Sequence, residues 1–329
     1  MSGSIRAVVL DGFGDESVLR VGEAPRLDLG PDDLRIRISA FAVNRADLMQ
    51  RRGHYPAPPG APETLGLECA GRVVEVGEAV SGWSVGDRAM ALLAGGGYAE
   101  ETVVQAGCAL PVPEALSNEE AAAIPEVFLT VFLNVFQIAG LPEGGSALVH
   151  GGGSGIGTAA IQLVKASGGR VLVTAGSEEK CKRCLELGAD AAIDYRAGSF
   201  LPAVKEATGD AGVDVVLDHI GAPYLADNLA ALRNDGSLVL IGLMGGAKAE
   251  LNLGLLLARR LRVVGSTLRA RPVGEKVALV SAFQARFGAD LASGRIRAVV
   301  DRVLLMEQVA DAHRAMAASE HFGKIVLTP

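Results

Sequence analysis

The sequence predicts an α/β protein built from two domains, and two observations lead to this prediction. From about residue 146 to residue 266, short apolar β-rich segments alternate with helical segments, a pattern typical of parallel βαβ units. Before residue 125 the chain instead shows short strand-like segments, many Gly and Pro, and little helical periodicity. That pattern indicates a compact, mainly antiparallel β domain. We therefore expect a mainly β domain and a doubly wound domain with a six-stranded parallel sheet.

The predicted elements divide the chain into one continuous and one discontinuous domain. Strands of the parallel sheet are predicted at 147–150, 171–175, 191–194, 213–218, 237–241 and 262–266, with helices at 157–168, 178–188, 199–207 and 223–233. Strands of the β domain are predicted at 5–10, 33–40, 70–76 and 87–93. Two helices and strands near 296–304 and 324–327 follow residue 267, and the last strand is expected to return to the first domain. The predicted domains are 1–124 with 267–329, and 125–266.

Composition excludes several classes of partner. The net charge of −7 is unfavourable for a nucleic-acid groove or an anionic membrane surface. Four cysteines in 329 residues do not form a disulfide framework, and the first residues lack the apolar core of a signal peptide. The longest apolar stretch, 127–141, contains Asn134 and Gln137 and is too short to span a bilayer. We expect a cytoplasmic protein that binds neither nucleic acid nor membrane.

A glycine-rich turn after the first strand of the parallel sheet predicts a dinucleotide site. Residues 147–157 read ALVHGGGSGIG and lead directly into a helix. Backbone N–H groups at a helix N-terminus bind a pyrophosphate, and glycines allow its close approach. A serine replaces one glycine of the usual G-x-G-x-x-G pattern, and an ordinary strand-to-helix turn is the alternative reading. The residues predicted to bind the pyrophosphate are Gly152, Ser154, Gly155, Ile156 and Gly157.

The end of the second strand predicts NADPH as the cofactor in preference to NADH. An NAD site usually places Asp or Glu there to bind the ribose 2′-hydroxyl, whereas this strand ends in Val-Thr-Ala-Gly. Ser177 and Lys180 follow, and a lysine favours a 2′-phosphate. Glu178 and Glu179 are expected in the first helical turn, where acids are common, with Ser177 as the N-cap.

Two substitutions remove the residues that would hold a catalytic zinc ion. The segment GLECAG at 66–71 resembles the Gly-His-Glu signature of zinc alcohol dehydrogenases, with Leu67 in place of the histidine ligand. Asn44 occupies the position of the cysteine ligand, and the lobe of four cysteines for structural zinc has no counterpart. Leucine cannot bind zinc, and Zn²⁺ prefers thiolate and imidazole to an amide.

Longer motifs extend this resemblance over essentially the whole chain. They are NRADLMQR at 44–51, AAAIPE at 121–126, GIGTAAIQL at 155–163, VTAGS at 173–177, GLMGG at 242–246 and GKIVL at 323–327. The chain resembles the zinc-free quinone oxidoreductases of the medium-chain dehydrogenase/reductase superfamily, and most of all a mammalian NADPH-dependent member. The resemblance implies a GroES-like catalytic domain, a Rossmann domain, NADPH as cofactor and a homodimer joined near the sheet edge at 237–246.

The resemblance also implies roles for individual residues. Lys180 and Tyr195 match residues that contact the 2′-phosphate, with Ser177 beside them. Positions that frame the nicotinamide and its ribose are matched by Asn44, Thr130, Gly242, Leu243, Met244 and Leu268. Tyr55 matches a tyrosine at the mouth of the substrate cleft. An asparagine contact to the cofactor is expected to be absent, because residues 319–322 read SEHF.

The expected reaction is hydride transfer to a small-molecule quinone or conjugated carbonyl. A quinone is already electrophilic and needs little Lewis-acid help, so we expect no obligatory side-chain acid. Tyr55, with Asn44, is the candidate for positioning or proton delivery, although Tyr55 could be an ordinary loop residue and Tyr195 a half-buried core residue. Reduction of alkenals or enoyl thioesters is the alternative, and an RNA- or protein-binding module is a third. Cys181 and Cys184 are interpreted as helix residues rather than as a metal or redox pair.

Overall fold

The computed structural model describes residues 3–329, which divide into two compact units. The first unit comprises residues 3–129 together with Leu268–Pro329, and the second comprises Thr130–Thr267. The domain limits predicted from the sequence, at 124/125 and 266/267, remain a prediction. The first of them lies at the start of a helix, Pro125–Val131, that the division into units crosses.

The chain forms fifteen strands and ten α-helices within the described residues. The strands are β1 Ser4–Leu10, β2 Leu19–Pro25, β3 Asp33–Ala42, β4 Glu68–Val76, β5 Arg88–Leu92, β6 Glu101–Gln105, β7 Ala109–Pro111, β8 Ser146–Val149, β9 Arg170–Ala175, β10 Ala191–Asp194, β11 Val213–Asp218, β12 Leu232–Leu240, β13 Arg262–Gly265, β14 Val300–Leu305 and β15 Lys324–Thr328. The helices are α1 Arg45–Arg51, α2 Asn118–Ala122, α3 Pro125–Val131, α4 Gly155–Ala166, α5 Glu178–Glu186, α6 Leu201–Thr208, α7 Leu225–Ala231, α8 Leu253–Arg259, α9 Val273–Ala292 and α10 Val309–Ala318. Short 3₁₀ turns lie at Glu16–Val18, Ala106–Cys108, Ala222–Tyr224 and Met306–Gln308.

The first unit is organised around a seven-stranded mixed sheet. Its order is β14-β15-β3-β4-β5-β7, with β6 also paired to β3, and β1 and β2 form a separate antiparallel pair. Strand β15 pairs antiparallel with β3, so the end of the chain is part of this sheet. Along β3 the buried Leu34, Ile36 and Ile38 alternate with residues on the opposite face, as the two-residue period of a strand requires. The pairing of β14 and β15 is parallel, which makes the sheet mixed rather than wholly antiparallel.

The second unit is a six-stranded parallel sheet in the order β10-β9-β8-β11-β12-β13. The strand order reverses between β8 and β11, because the chain runs outward from β8 through β9 on one side and continues from β11 on the other. In such sheets a ligand binds at the carboxyl ends of the strands at this reversal. Strands β8, β9 and β11 are almost entirely buried, which explains their continuous apolar sequences. The predicted fold class is confirmed.

Three features of the second unit differ from the sequence prediction. Residues Phe132–Ile138 form a π-helix that continues α3, and Asn134 Nδ2 donates a hydrogen bond to the carbonyl of Thr130 at 2.7 Å. Strand β12 begins at Leu232 instead of residue 237. Strand β13 pairs with β12 and is the last strand of the sheet. The edge predicted at 237–246 therefore belongs to β12, the next strand inward. None of the helices within residues 3–329 is both long and apolar enough to cross a membrane.

Candidate active site

The glycine turn of the second unit joins β8 to α4 and is fixed by its own hydrogen bonds. Gly151 adopts a φ of 70°, a left-handed conformation that favours glycine. The amide of Gly152 donates to the Thr174 carbonyl at 2.7 Å. Ser154 is the N-cap of α4, and its hydroxyl accepts a hydrogen bond from the Gly157 amide at 3.1 Å. The serine that weakens the sequence pattern is thus a helix cap, a role for which serine is well suited.

The glycines of this turn are required by close packing. A Cβ atom on Gly157 would lie 2.4 Å from the Gly151 carbonyl oxygen and from backbone atoms of Gly152. A Cβ atom on Gly152 would lie 2.6 Å from Val173 and 2.9 Å from Cys184 Sγ. The turn is therefore a backbone cradle at a helix N-terminus, which is what a dinucleotide pyrophosphate requires.

A buried polar network under the turn connects the ends of β8, β9 and β11. Burial lowers the pKa of His150 to about 4, so its imidazole is neutral at neutral pH. His150 Nε2 donates to Asn228 Oδ1 at 2.7 Å, and Nδ1 accepts from Thr174 Oγ1 at 3.1 Å. Thr174 Oγ1 in turn accepts from the Gly151 amide, and Asn228 Nδ2 donates to Asp218 Oδ2 at 3.0 Å. This assignment of the imidazole proton satisfies each partner.

The loop after β12 lies against the loop after β11. The Met244 amide donates to the His219 carbonyl at 3.0 Å, and a Cβ atom on Gly242 would lie 3.1 Å from His219 Cβ. Leu243 is 51% exposed and Met244 53% exposed, so two large apolar side chains next to the candidate cofactor site face outward. Their roles toward a nicotinamide remain predictions.

The residues predicted to bind a 2′-phosphate lie at the carboxyl end of β9. Ser177 is the N-cap of α5 and accepts from the Lys180 amide at 3.2 Å, as predicted. The Tyr195 amide donates to the Ala175 carbonyl at 3.1 Å, and the Tyr195 hydroxyl lies 2.6 Å from where a Cβ atom on Gly176 would be. Tyr195 is 40% exposed, which is unusual for a core residue. The strand end itself carries no carboxylate.

Two further residues predicted to frame the nicotinamide are buried. Thr130, 8% exposed, is the first residue of the second unit, and Leu268, 6% exposed, belongs to the first unit. The carbonyl of Leu268 accepts a hydrogen bond from the Arg271 amide at 3.1 Å. Their contact with a cofactor stays a prediction.

In the first unit, the side chain of Asn44 forms hydrogen bonds with both members of a buried ion pair, Glu68 and Lys324. Its Nδ2 donates to Glu68 Oε1 at 2.9 Å, and its Oδ1 accepts from Lys324 Nζ at 2.6 Å. Lys324 Nζ also lies 2.7 Å from Glu68 Oε1 and donates to the Val43 carbonyl at 2.9 Å. The Asn44 amide donates to Asp47 Oδ2 at 2.8 Å, which caps α1. The position that holds a zinc-binding cysteine in related enzymes is occupied here by a fully engaged amide.

A chain of hydrogen bonds continues from Asp47 into the core. Tyr98 Oη donates to Asp47 Oδ2 at 3.1 Å and lies 3.1 Å from His313 Nε2. Burial raises the pKa of Asp47 to about 6 and lowers the pKa of His313 to about 3. These groups fix the backbone around Asn44, and sequence analysis assigned them no role.

Tyr55 is held by an arginine that sequence analysis did not single out. The Arg269 guanidinium lies 5.4 Å from the centroid of the Tyr55 ring and is 3% exposed. It donates to Gln50 Oε1 and to the Ala94 carbonyl, each at 2.8 Å. Lys276 Nζ donates to the Arg269 carbonyl at 2.6 Å. Tyr55 is therefore more than a loop residue exposed to water, although no sequence motif marks Arg269.

Glu126 is a second residue to which the sequence motifs assign no role of its own. Its backbone amide donates to Glu68 Oε2 at 2.8 Å. Burial first, and then the negative charge of Glu68, raise the pKa of Glu126 to about 8. The pKa of Tyr55 is raised by burial and also by the charge of Glu126. Glu126 is thus electrostatically coupled to the surroundings of both predicted site residues of the first unit, Asn44 and Tyr55.

The remaining residues considered for a metal or redox role, Leu67, Cys181 and Cys184, are buried in the protein. Leu67 is 1% exposed and packs in the core, and residues 3–329 contain no group of three or more His, Cys, Asp or Glu side chains that could hold a metal ion. Cys181 and Cys184 lie buried within α5, and burial raises the pKa of the Cys184 thiol to about 12. A thiol with so high a pKa is a poor nucleophile.

The GroES-like arrangement of the first unit and the doubly wound sheet with its glycine turn define a medium-chain dehydrogenase/reductase. Residues 30–114 match the model of the alcohol dehydrogenase GroES-like domain, and residues 155–283 match that of the zinc-binding dehydrogenases.

Comparison with individual proteins identifies the family within this superfamily. Human synaptic vesicle membrane protein VAT-1 homolog is 34% identical over 99% of this chain and 86% of its own, and rat quinone oxidoreductase is 30% identical over 98% and 97%. Among solved structures, an NAD-dependent alcohol dehydrogenase superposes with a TM-score of 0.87 at 33% identity, covering 99% of this chain and 100% of its own. Escherichia coli quinone oxidoreductase in complex with NADPH superposes with a TM-score of 0.87 at 28% identity, covering 98% and 100%. The chain belongs to the zinc-free quinone oxidoreductase family of the medium-chain dehydrogenase/reductase superfamily.

Proposed function

We propose that this protein is an NADPH-dependent quinone oxidoreductase that transfers a hydride to a small quinone without zinc. The observation that carries the proposal is the environment of Asn44. Its amide is committed to the buried pair of Glu68 and Lys324, and Leu67 lies in the core. A simple carbonyl usually needs a metal to polarise it, whereas a quinone is already electrophilic and gives an aromatic product.

NADPH is supported by the carboxyl end of β9. Ser177, Lys180 and Tyr195 are grouped there without the strand-end carboxylate that usually binds the 2′-hydroxyl of NADH. The backbone cradle at Gly152 and Gly157 fits a pyrophosphate. When bound, the nicotinamide would supply the hydride. The chain's own contribution is to hold the dinucleotide and to position the acceptor.

Tyr55 is proposed as a positioning residue, because Arg269 holds it in place. Tyr55→Phe should lower kcat with a reactive quinone by less than about a hundredfold, since an obligatory general acid contributes at least that much. A larger loss of kcat would show that the hydroxyl itself transfers the proton.

The decisive experiment follows the oxidation of NADPH and NADH with an ortho-quinone, a para-quinone, a small alkenal and an enoyl thioester. We expect the highest kcat/KM for NADPH with one of the quinones. Faster turnover of the thioester would favour the alternative, an alkenal or enoyl-thioester reductase. A relative in the polyketide synthases, 29% identical over 99% of this chain but only 15% of its own length, makes that comparison necessary.

The third reading, an RNA-binding module, conflicts with the net charge of −7. A filter-binding titration across salt concentrations tests it, and binding at near-physiological salt would refute our proposal of a protein without nucleic-acid partners. A cytoplasmic location is likewise part of the proposal.

We also propose a homodimer joined through the edge of the parallel sheet near residues 237–246, where β13 is the outermost strand. Large apolar side chains are exposed on β13 and on α8, the helix that precedes it in the chain: Leu253, Leu257 and Val263. An open strand beside exposed apolar side chains is a typical interface between subunits. Sedimentation at micromolar concentration showing only monomer would refute it.

A further inference from the structure

Glu126, in the first turn of α3, has a buried carboxylate oxygen with no partner. Its Oε2 has no hydrogen-bond partner among the described residues, although the side chain as a whole keeps part of its surface exposed. A buried, unpartnered carboxylate is costly when ionised and much less so when protonated. The side chain of Glu126 is therefore expected to be protonated, or to have a function that offsets the cost of its burial.

Glu126 and its neighbour Glu68 differ in the hydrogen-bond partners of their carboxyl groups. Glu68 receives Lys324 Nζ at 2.7 Å, Asn44 Nδ2 at 2.9 Å and the backbone amide of Glu126 at 2.8 Å. All three of these groups donate to the carboxylate of Glu68. None of the described hydrogen bonds does the same for the side chain of Glu126.

The charged groups that act on Glu126 come from several elements. Glu68 on β4 and Asp47 on α1 disfavour its negative charge, whereas Lys324 on β15 and Arg269 favour it. Glu126 in turn acts on Tyr55 and on Lys276 of α9. Burial outweighs the two cations, and the pKa of Glu126 rises to about 8.

We propose that Glu126 is the proton donor of the reaction, and the inference rests on the proposed reduction of a quinone by NADPH. A quinone that has accepted one hydride carries one negative charge on oxygen and needs one proton. The O–H bond of Glu126 breaks, its electron pair stays on the carboxylate, and the proton forms the new O–H bond of the hydroquinone. Solvent then returns a proton to Glu126, a residue that is only partly buried as a whole. This step replaces the expectation that no side-chain acid is needed.

The test compares Glu126→Gln with Glu114→Gln. Glutamine has nearly the shape of a protonated glutamate but cannot transfer a proton, and Glu114 is an exposed glutamate of the same unit. With a para-quinone, kcat/KM of the wild type and of Glu114→Gln should fall as pH rises through about 8. Glu126→Gln should lose this inflection and be about a hundredfold slower near neutral pH.

A second readout needs no cofactor. In infrared spectra near neutral pH, the carbonyl stretch of a protonated carboxyl group should be present in the wild type and in Glu114→Gln. In Glu126→Gln the band should lose the intensity of one protonated carboxyl group, while the temperature of unfolding is unchanged.

The outcomes separate the two proposals. An active wild type whose pH profile and infrared band are unchanged in Glu126→Gln overturns the role of Glu126 alone. A wild type that reduces none of the quinones with either nicotinamide cofactor overturns the proposed function, and the proton-donor role with it.

Discussion

Substitution of Gly157 by alanine tests whether the glycine turn is the cofactor cradle. A Cβ atom there would lie 2.4 Å from backbone atoms of Gly151 and Gly152. Ordinary contact begins near 3.4 Å, so the turn and α4 must separate by about 1 Å. Overpacking of this kind costs about 1–3 kcal/mol, which outweighs the gain of up to about 1 kcal/mol from replacing a helical glycine by alanine.

The displaced atoms belong to the turn that would bind the pyrophosphate, so affinity should fall together with stability. A loss of about 1.4 kcal/mol in binding raises the Kd about tenfold. We expect at least this increase in the Kd for NADPH, measured by fluorescence titration. We also expect a fall of about 1–3 kcal/mol in the free energy of unfolding, measured with urea.

Gly274→Ala is the matched control, because Gly274 lies in the first turn of α9 and a Cβ atom there meets nothing within 4 Å. It should leave the Kd unchanged and leave stability unchanged or slightly higher. If Gly157→Ala changed the Kd by less than twofold while the protein remained folded, the turn would not be the cradle.

Three further predictions concern stability and cofactor choice. Lys324→Met leaves the charge of Glu68 buried and unpaired, so the free energy of unfolding should fall by about 3–5 kcal/mol. Adding Glu68→Gln should restore much of it, and an additive double variant would argue against the pair. His150, whose pKa falls from 6.5 to about 4 on folding, makes stability decrease as pH drops through that range, by about 3 kcal/mol in total. In denaturant titrations His150→Gln should show a pH slope smaller by about one proton, and an unchanged slope would contradict the burial argument. Lys180→Ala should raise the Kd for NADPH by roughly tenfold to a hundredfold and leave the Kd for NADH within about twofold, because a charged hydrogen bond to the 2′-phosphate contributes about 1.5–3 kcal/mol. The exposed Lys182 on the same helix is the control, and equal effects on both cofactors would refute the assignment.

The sequence predicted the parallel sheet well because each of its strands carries its own signal. Strands buried on both faces read as continuous apolar segments, and β10 and β11 have the predicted limits. A buried helix was expected within 127–141, but its π-helical geometry after α3 and the early start of β12 were not predicted. Local periodicity indicates neither the π-helical hydrogen bonds of Phe132–Ile138 nor a strand that contains Asp235 at a φ of 64°.

The sequence predicted the part of the candidate site in the second unit better than the part in the first unit. The glycine turn and the N-cap Ser177 are local, since their partners lie a few residues away along the chain. The polar cluster of the first unit is not local: Lys324 reaches Asn44 across 280 residues, and Arg269 reaches Gln50 across 219. No motif marks residues that meet only through folding.

By itself, the sequence determined the α/β fold, the position of the dinucleotide turn and the loss of the zinc ligands, because each depends on residue type and short-range spacing. Only the tertiary structure decided that Asn44 is hydrogen-bonded to the buried ion pair of Glu68 and Lys324, and that Glu126 retains a buried, unpartnered oxygen. The physical reason is that burial and the neighbouring charges set the pKa of a carboxyl group, and both arise only when distant segments pack together.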